Sequence, residues 1–364
     1  MRLGWRELVR RPGRFVVAGG ALTLIVVLLL LLGGLLDGLY KGSTGAFRSQ
    51  SADVIVYAEE SRNSLVRSRV EPGTLERIGE VEGVDEVSGL GVVLIGGLPQ
   101  DGARSVDLAV FGYESPNLRV PAPPAPGLGY ADRTLETDGV EVGDTIVVGP
   151  ARVPVEIVGW VEDTRLLFQA GLWVEPGTWH RILETSRPDA ALPEGTFQAA
   201  LVGTDADPAS VAAAIEREVP GTSALTIAEA IATLPGVAAQ QETFVQIITV
   251  TFVVAGLVVA LFFALLVLER LGLYGVLKAV GASSRQVAAG LVTQAVLVAL
   301  GAFVVGGAVA VGLSFVIPEE VPVDLQVRRA VVTAVGLVAT ALLGSAISFR
   351  KIIRIDPASA VGGS

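Results

Sequence analysis

Phe15-Val16-Val17-Ala18-Gly19-Gly20-Ala21-Leu22-Thr23-Leu24-Ile25-Val26-Val27-Leu28-Leu29-Leu30-Leu31-Leu32-Gly33-Gly34-Leu35-Leu36 is a run of 22 residues without a charge, bounded by Arg14 and Asp37. A helix needs about 20 apolar residues to cross a bilayer, so this run reads as a membrane span. A cleaved signal peptide is the rival reading. The run is long for a signal core, no A-x-A-like site follows at once, and Asp37-Gly38-Leu39-Tyr40-Lys41 reads as a continuing helix end. An uncleaved anchor is therefore predicted.

Three more uncharged stretches follow: Thr243 to Leu268, Gln286 to Pro318, and Ala330 to Phe349. The stretch from Gln286 to Pro318 is longer than one crossing needs, which suggests tilt or extension beyond the bilayer. This clustering explains a chain of 364 residues that is 51% hydrophobic and only 18% charged. Soluble domains carry about 25% charge. With no cysteine there is no disulfide scaffold, thiol nucleophile or thiolate metal site, and the single His180 cannot build a histidine cage. The net charge of −10 lacks the basic footprint that nucleic-acid binding needs.

Flanking charge predicts orientation. Residues 1–14 carry net +4, residues 269–285 net +2, and residues 350–364 net +2. These segments are expected on the cytoplasmic side, with both termini inside. Residues 38–242 hold 14 Lys/Arg against 30 Asp/Glu, so the acidity lies in the insert that would face outward. Arg328 and Arg329 run mildly against the rule, at the outer start of the fourth span. The predicted fold class is thus a membrane protein with four transmembrane α-helices and a large α+β extracytoplasmic domain between the first and second. The expected segments are an amphipathic helix at 1–14, spans at 15–37, 243–268, 286–317 and 330–349, and the external domain at 38–242. The remainder is a cytoplasmic loop at 269–285, an external loop at 318–329 and a cytoplasmic tail at 350–364.

Within the insert, Val54 to Tyr57, Val92 to Ile95, Val106 to Phe111, Thr145 to Val148, Val153 to Val158 and Phe197 to Val202 read as short strands between turn residues. Helices are signalled by proline after a polar residue, at Glu71-Pro72, Glu175-Pro176 and Asp207-Pro208. The string E-P-G-T-x-x-R-I occurs at Glu71 and again at Glu175. It marks either a duplicated subdomain or a recurring helix start. Pro121 to Gly127 is a stiff connector that separates two lobes or marks where a loop leaves one lobe and returns. No nucleophile and base stand together by motif, and no G-x-x-x-x-G-K-[ST] phosphate loop is present, so the chain is expected not to hydrolyse ATP itself.

Small residues recur every fourth position in three spans: Gly256, Ala260 and Ala264; Ala302, Gly306 and Ala310; Gly336, Thr340 and Gly344. That spacing lets helix backbones approach in lipid, and it favours a packed bundle over a wide pore. The connection after the second span reads ERLGLYGVLKAVGASSRQV, from Glu269 to Val287. Leu273, Leu277 and Val280 share one helical face. Gly281 can end that helix in the left-handed conformation, and Ser283 and Gln286 have capping-box spacing for the next one.

This string resembles the signature loop of FtsX/MacB-type ABC-transporter permeases. The basic start Trp5 to Arg14, the Gly139 to Ile146 string followed by Val155 to Trp160, and the tail Ile355-Asp356-Pro357-Ala358-Ser359-Ala360 are similar to further pieces of that family. The resemblance implies a bacterial inner-membrane permease that pairs with a second permease subunit, as a homodimer or paralogous heterodimer. It also implies two copies of a separate ABC ATPase, which would hold ATP and Mg, this chain having no cofactor or metal of its own. Contact with that ATPase and the coupling role fall to Leu273, Tyr274, Leu277, Lys278, Gly281 and Ser283 in the loop, and to Asp356 and Pro357 in the tail. ATP-driven closure would then be passed to the external domain by mechanotransmission, for export or extraction of a substrate at the outer face. The resemblance also admits an external adaptor, lipoprotein or hydrolase as a further partner. The competing readings are a transmembrane activator of a cell-wall hydrolase and a non-transporting receptor.

Overall fold

The computed structural model describes residues 12–100, 104–269, 283–318 and 321–353. The chain divides into two compact units, one of residues 1–38 with 241–364 and the other of residues 39–240.

The first unit is helical. Among the described residues four helices are long and apolar enough to cross a membrane, and the insert lies between the first and second of them. They are α1 (Pro12–Arg48), α6 (Val237–Glu269), α7 (Ser284–Ser314) and α8 (Val327–Ile353), where α2 to α5 belong to the insert. α1 continues eleven residues past Asp37, and its last ten residues belong to the second unit. α7 stops at Ser314, ahead of residues 315–317 of its uncharged stretch; Phe315 and Val316 there are strongly exposed.

The four helices share a core of small and branched residues that includes Val26, Leu30, Ala255, Val259, Ala299, Ala302 and Leu337. The small-residue rows sit where helices touch. A Cβ on Gly344 would stand 2.8 Å from the carbonyl of Gly256, so α6 and α8 meet backbone to backbone. A Cβ on Gly306 would stand 2.8 Å from Cγ1 of Val26 on α1. Close approach of this kind gains dispersion where lipid removes the hydrophobic incentive to associate.

The second unit is built on nine strands: β1 (Val54–Ala58), β2 (Glu86–Pro99), β3 (Val106–Tyr113), β4 (Leu128–Asp132), β5 (Thr145–Val148), β6 (Val153–Val161), β7 (Ala170–Val174), β8 (Ala199–Gly203) and β9 (Thr222–Thr226). Its helices are α2 (Pro72–Gly79), α3 (Pro176–Ser186), α4 (Pro208–Glu218) and α5 (Ile227–Thr233). The strand order makes two lobes that share β2. The first half of β2 pairs with β8, β8 with β1 and β1 with β9, all antiparallel. With α2 and α4 this is a split β-α-β, β-α-β arrangement of ferredoxin-like type. Strand alternation sorts its core: Val54 and Val56 pack with Ile78, Val211 and Ile215, while Ile55 and Tyr57 pack on the opposite face.

The second lobe closes on itself. β2 pairs with β3, β3 with β7, β7 with β4, β4 with β6, β6 with β5 and β5 with β2. Closure removes sheet edges from six strands. Leu108, Val110, Ile146, Val155, Ile157 and Leu172 fill this barrel's core. Glycines in β2 and β3 make room for rings there: Gly89 faces Phe197, and both Gly91 and Gly112 face Trp179 of α3.

The two E-P-G-T strings open α2 in the first lobe and α3 after β7 in the second. Their surroundings differ, so the repeat is a helix start and not a subdomain. Glu175 accepts from the amides of Gly177 and Thr178, whereas Glu71 makes no such cap. Pro121 to Gly127 joins β3 to β4, both barrel strands; it is a crossover inside one lobe and does not separate two.

Candidate functional site

The connection between the second and third candidate spans supplies one described residue of the expected coupling set. Ser283 caps α7: its Oγ accepts from the Gln286 amide at 3.3 Å, and the Gln286 Oε1 accepts from the Ser283 amide at 3.0 Å. The capping box read from the sequence is therefore present. Leu273, Tyr274, Leu277, Lys278, Gly281, Asp356 and Pro357 lie outside the described residues.

The end of α1 forms a second constellation, which sequence reasoning missed. Residues 39–48 are gripped by the segment 163–168 that follows β6, all inside the second unit. The Phe168 amide donates to the Gly42 carbonyl at 2.8 Å, and the Leu167 amide to the Ser43 carbonyl at 3.2 Å. The Ala46 amide donates to the Arg165 carbonyl at 3.0 Å. Leu167 and Phe168 hold positive φ values of 51° and 70° to present those amides. A Cβ on Gly45 would stand 2.6 Å from the Asp163 carbonyl, so only glycine admits this approach.

An ion pair fastens the same junction. Arg48, in the last turn of α1, donates from Nη1 to Asp163 Oδ2 at 2.7 Å and from Nη2 to Oδ1 at 2.5 Å. Arg119 approaches the same carboxylate at 3.4 Å. Both partners of the main pair are about one-fifth exposed. The fork geometry fixes direction as well as distance, and a cation at a helix C-terminus meets the negative end of the macrodipole. Gly42 and Gly45 followed by Arg48, three residues apart, were the available signal.

In the helical unit, Asp37 and Arg329 form a corresponding pair. Nε of Arg329 donates to Oδ2 and Nη2 to Oδ1, each at 2.5 Å. This answers the charge anomaly at the start of the fourth span, since Arg329 is held by an acid at the same end of the first. The segment between α7 and α8 lies along α1 there. The Asp324 amide donates to the Gly34 carbonyl at 2.9 Å, and Gly38 faces the carbonyl of Pro322.

α5 precedes α6 in the chain. Thr226 and Glu229 form its capping box, and these hydrogen bonds hold the Glu229 carboxyl below the usual carboxylate range, the Thr226 hydroxyl contributing most. Burial alone pushes the Tyr57 hydroxyl up, and burial with Tyr130 nearby does so for Tyr113. Both phenols stay neutral core residues. Among the described residues no group of three or more His, Cys, Asp or Glu is placed to hold a metal ion.

Comparison with known proteins agrees with this architecture. Residues 245–357 match the family model described as FtsX-like permease C-terminal. The hemin transport system permease protein HrtB of Staphylococcus epidermidis is 20% identical over 368 residues, spanning 100% of this chain and 99% of that one. An ABC transporter permease of Mycobacterium tuberculosis is 27% identical over 368 residues, spanning 98% of each. The periplasmic region of MacB from Actinobacillus actinomycetemcomitans overlays 52% of this chain and 95% of that one, with 10% identity and a TM-score of 0.35, too distant to bear on the fold. The last three candidate spans thus resemble an FtsX-like permease domain, and the relatives that align along the whole chain are ABC-transporter permeases.

Proposed function

We propose that this chain is the membrane subunit through which a separate ATPase moves the inserted domain. Two permease copies, or one copy and a paralogue, form the membrane part, and two ATPase copies hold ATP and Mg. The ATPase docks on the 269–285 loop and the 350–364 tail, with Leu273, Tyr274, Leu277, Lys278, Gly281, Ser283, Asp356 and Pro357 as the contact and coupling residues. The positive flanks support a reading in which these segments lie in the cytoplasm of a bacterial cell and the acidic insert outside its inner membrane.

One observation carries this reading: α1 is a single helix from Pro12 to Arg48 whose last turns are hydrogen-bonded and ion-paired into the inserted domain. A helix with an intact hydrogen-bond ladder resists stretching, so displacement of its span reaches Asp163 and the 163–168 segment. The spans carry no row of ionisable groups of the kind that marks an ion or proton route. Movement of the domain, in place of passage through a pore, would then act on a substrate or partner at the outer face.

The test is co-purification of the full chain with its ABC ATPase and measurement of ATP turnover. Gly281→Pro and truncation after Phe349 are each expected to abolish ATPase binding and stimulation. Intact binding in both variants would refute the coupling assignment.

A further inference from the structure

A cavity of about 260 Å³ opens in the helical unit, between α1, α7 and the start of α8. Its wall is apolar, with Leu30, Phe303, Gly307 and Val311 among the lining residues, and Arg329 is the charged one. Arg329 has five N–H donors. Asp37 takes one from Nε and one from Nη2, so both N–H groups of Nη1 and the second of Nη2 have no acceptor among the described residues. The side chain is 31% exposed, so these donors are only partly open to water. Arg328, one residue earlier, is exposed.

We propose that this corner holds one anionic phospholipid of the surrounding bilayer, with an acyl chain in the cavity and its phosphate on the free edge of Arg329. The shape and the charge agree. An apolar slot in a membrane helix bundle accommodates a chain without desolvation cost, and the remaining donors of a guanidinium at the slot's lining are matched by a phosphate. The Asp37 carboxylate stands beside the same guanidinium, so it repels the headgroup while orienting the donors towards it. Gly307 leaves the slot open: a Cβ there would stop 4.0 Å from Leu30, and a larger side chain would fill the space.

The experiment titrates the detergent-solubilised full chain with phosphatidylglycerol, phosphatidylcholine or oleate and follows the thermal unfolding midpoint. Phosphatidylglycerol should raise the midpoint saturably, with the other two giving little. Arg329→Gln should weaken its apparent affinity about tenfold or more, as expected for loss of one charge-assisted pair. Gly307→Leu, which leaves every charge in place, should weaken it comparably and keeps the test valid if Arg329→Gln does not fold. Asp37→Asn should retain or tighten binding. Equal stabilisation by phosphatidylcholine would overturn the proposal, as would an unchanged response in Gly307→Leu. A response to oleate alone would overturn it too, assigning the corner to a free carboxylate.

Discussion

Asp163 is the residue on which the end of α1 depends. Its carboxylate receives both arms of Arg48 and the approach of Arg119, and its own carbonyl crowds Gly45. Replacing it by alanine leaves a partly buried guanidinium without its partner. The expected cost is about 1.5–3 kcal/mol, the range for hydrogen bonds to charged groups. A double-mutant cycle of Asp163→Ala with Arg48→Ala, read by thermal or denaturant unfolding, should show that the two losses are strongly non-additive. Glu229 makes a prediction of the opposite kind, in pH. Its carboxyl is lowered in the folded state by the Thr226 hydrogen bonds. Its contribution is therefore present above the ordinary carboxylate range and lost as pH falls through the depressed folded value. The protection factors of amides at the start of α5, which allow for the slower intrinsic exchange in acid, should fall on acidification, and Glu229→Gln should flatten that dependence.

At the scale of elements, helix contacts and strand limits were legible to different degrees. Gly344 and Gly256 were readable from their spacing, and they meet where α6 and α8 touch. Gly344→Leu should force those helices apart and lower the melting temperature of the full chain in detergent by several degrees, while an exposed control such as Val335→Leu should not. The Thr145–Val148 strand and the Asp207-capped helix were readable because turn and capping chemistry is local. β2 was read only at its centre, since Gly89, Gly91, Gly96 and Gly97 look like breaks. Gly89, Gly91 and Gly97 are in fact sites where Phe197, Trp179, Leu108 and Ile146 press on the strand, and all of these but Leu108 come from distant sequence. β7 was missed because all five of its residues are buried, which leaves no alternation to detect. β4 and β9 are short, and their Gly, Asp, Ser and Thr content resembles turns. The Arg48–Asp163 pair lies 115 residues apart in sequence, beyond the reach of any local pattern.

For the whole molecule, splitting the net charge of −10 into an acidic insert and three basic flanks is what makes the chain legible as a membrane protein. The same division matches the two compact units. The central claim is mechanical: a helix that begins in the membrane delivers ATP-driven movement to the domain that grips its end. The absence of cysteine means that one introduced thiol gives a unique label. Val142→Cys suits this purpose, being 52% exposed on the barrel lobe and away from the Arg48 junction. The decisive measurement is the distance between the spin labels of two permease copies, in the ATPase complex without nucleotide and with trapped ATP. The account predicts that the distance distribution shifts on ATP in the otherwise native chain, and that Asp163→Ala retains ATP turnover while losing most of that shift. A full shift in Asp163→Ala, or no shift in the native chain, would contradict it.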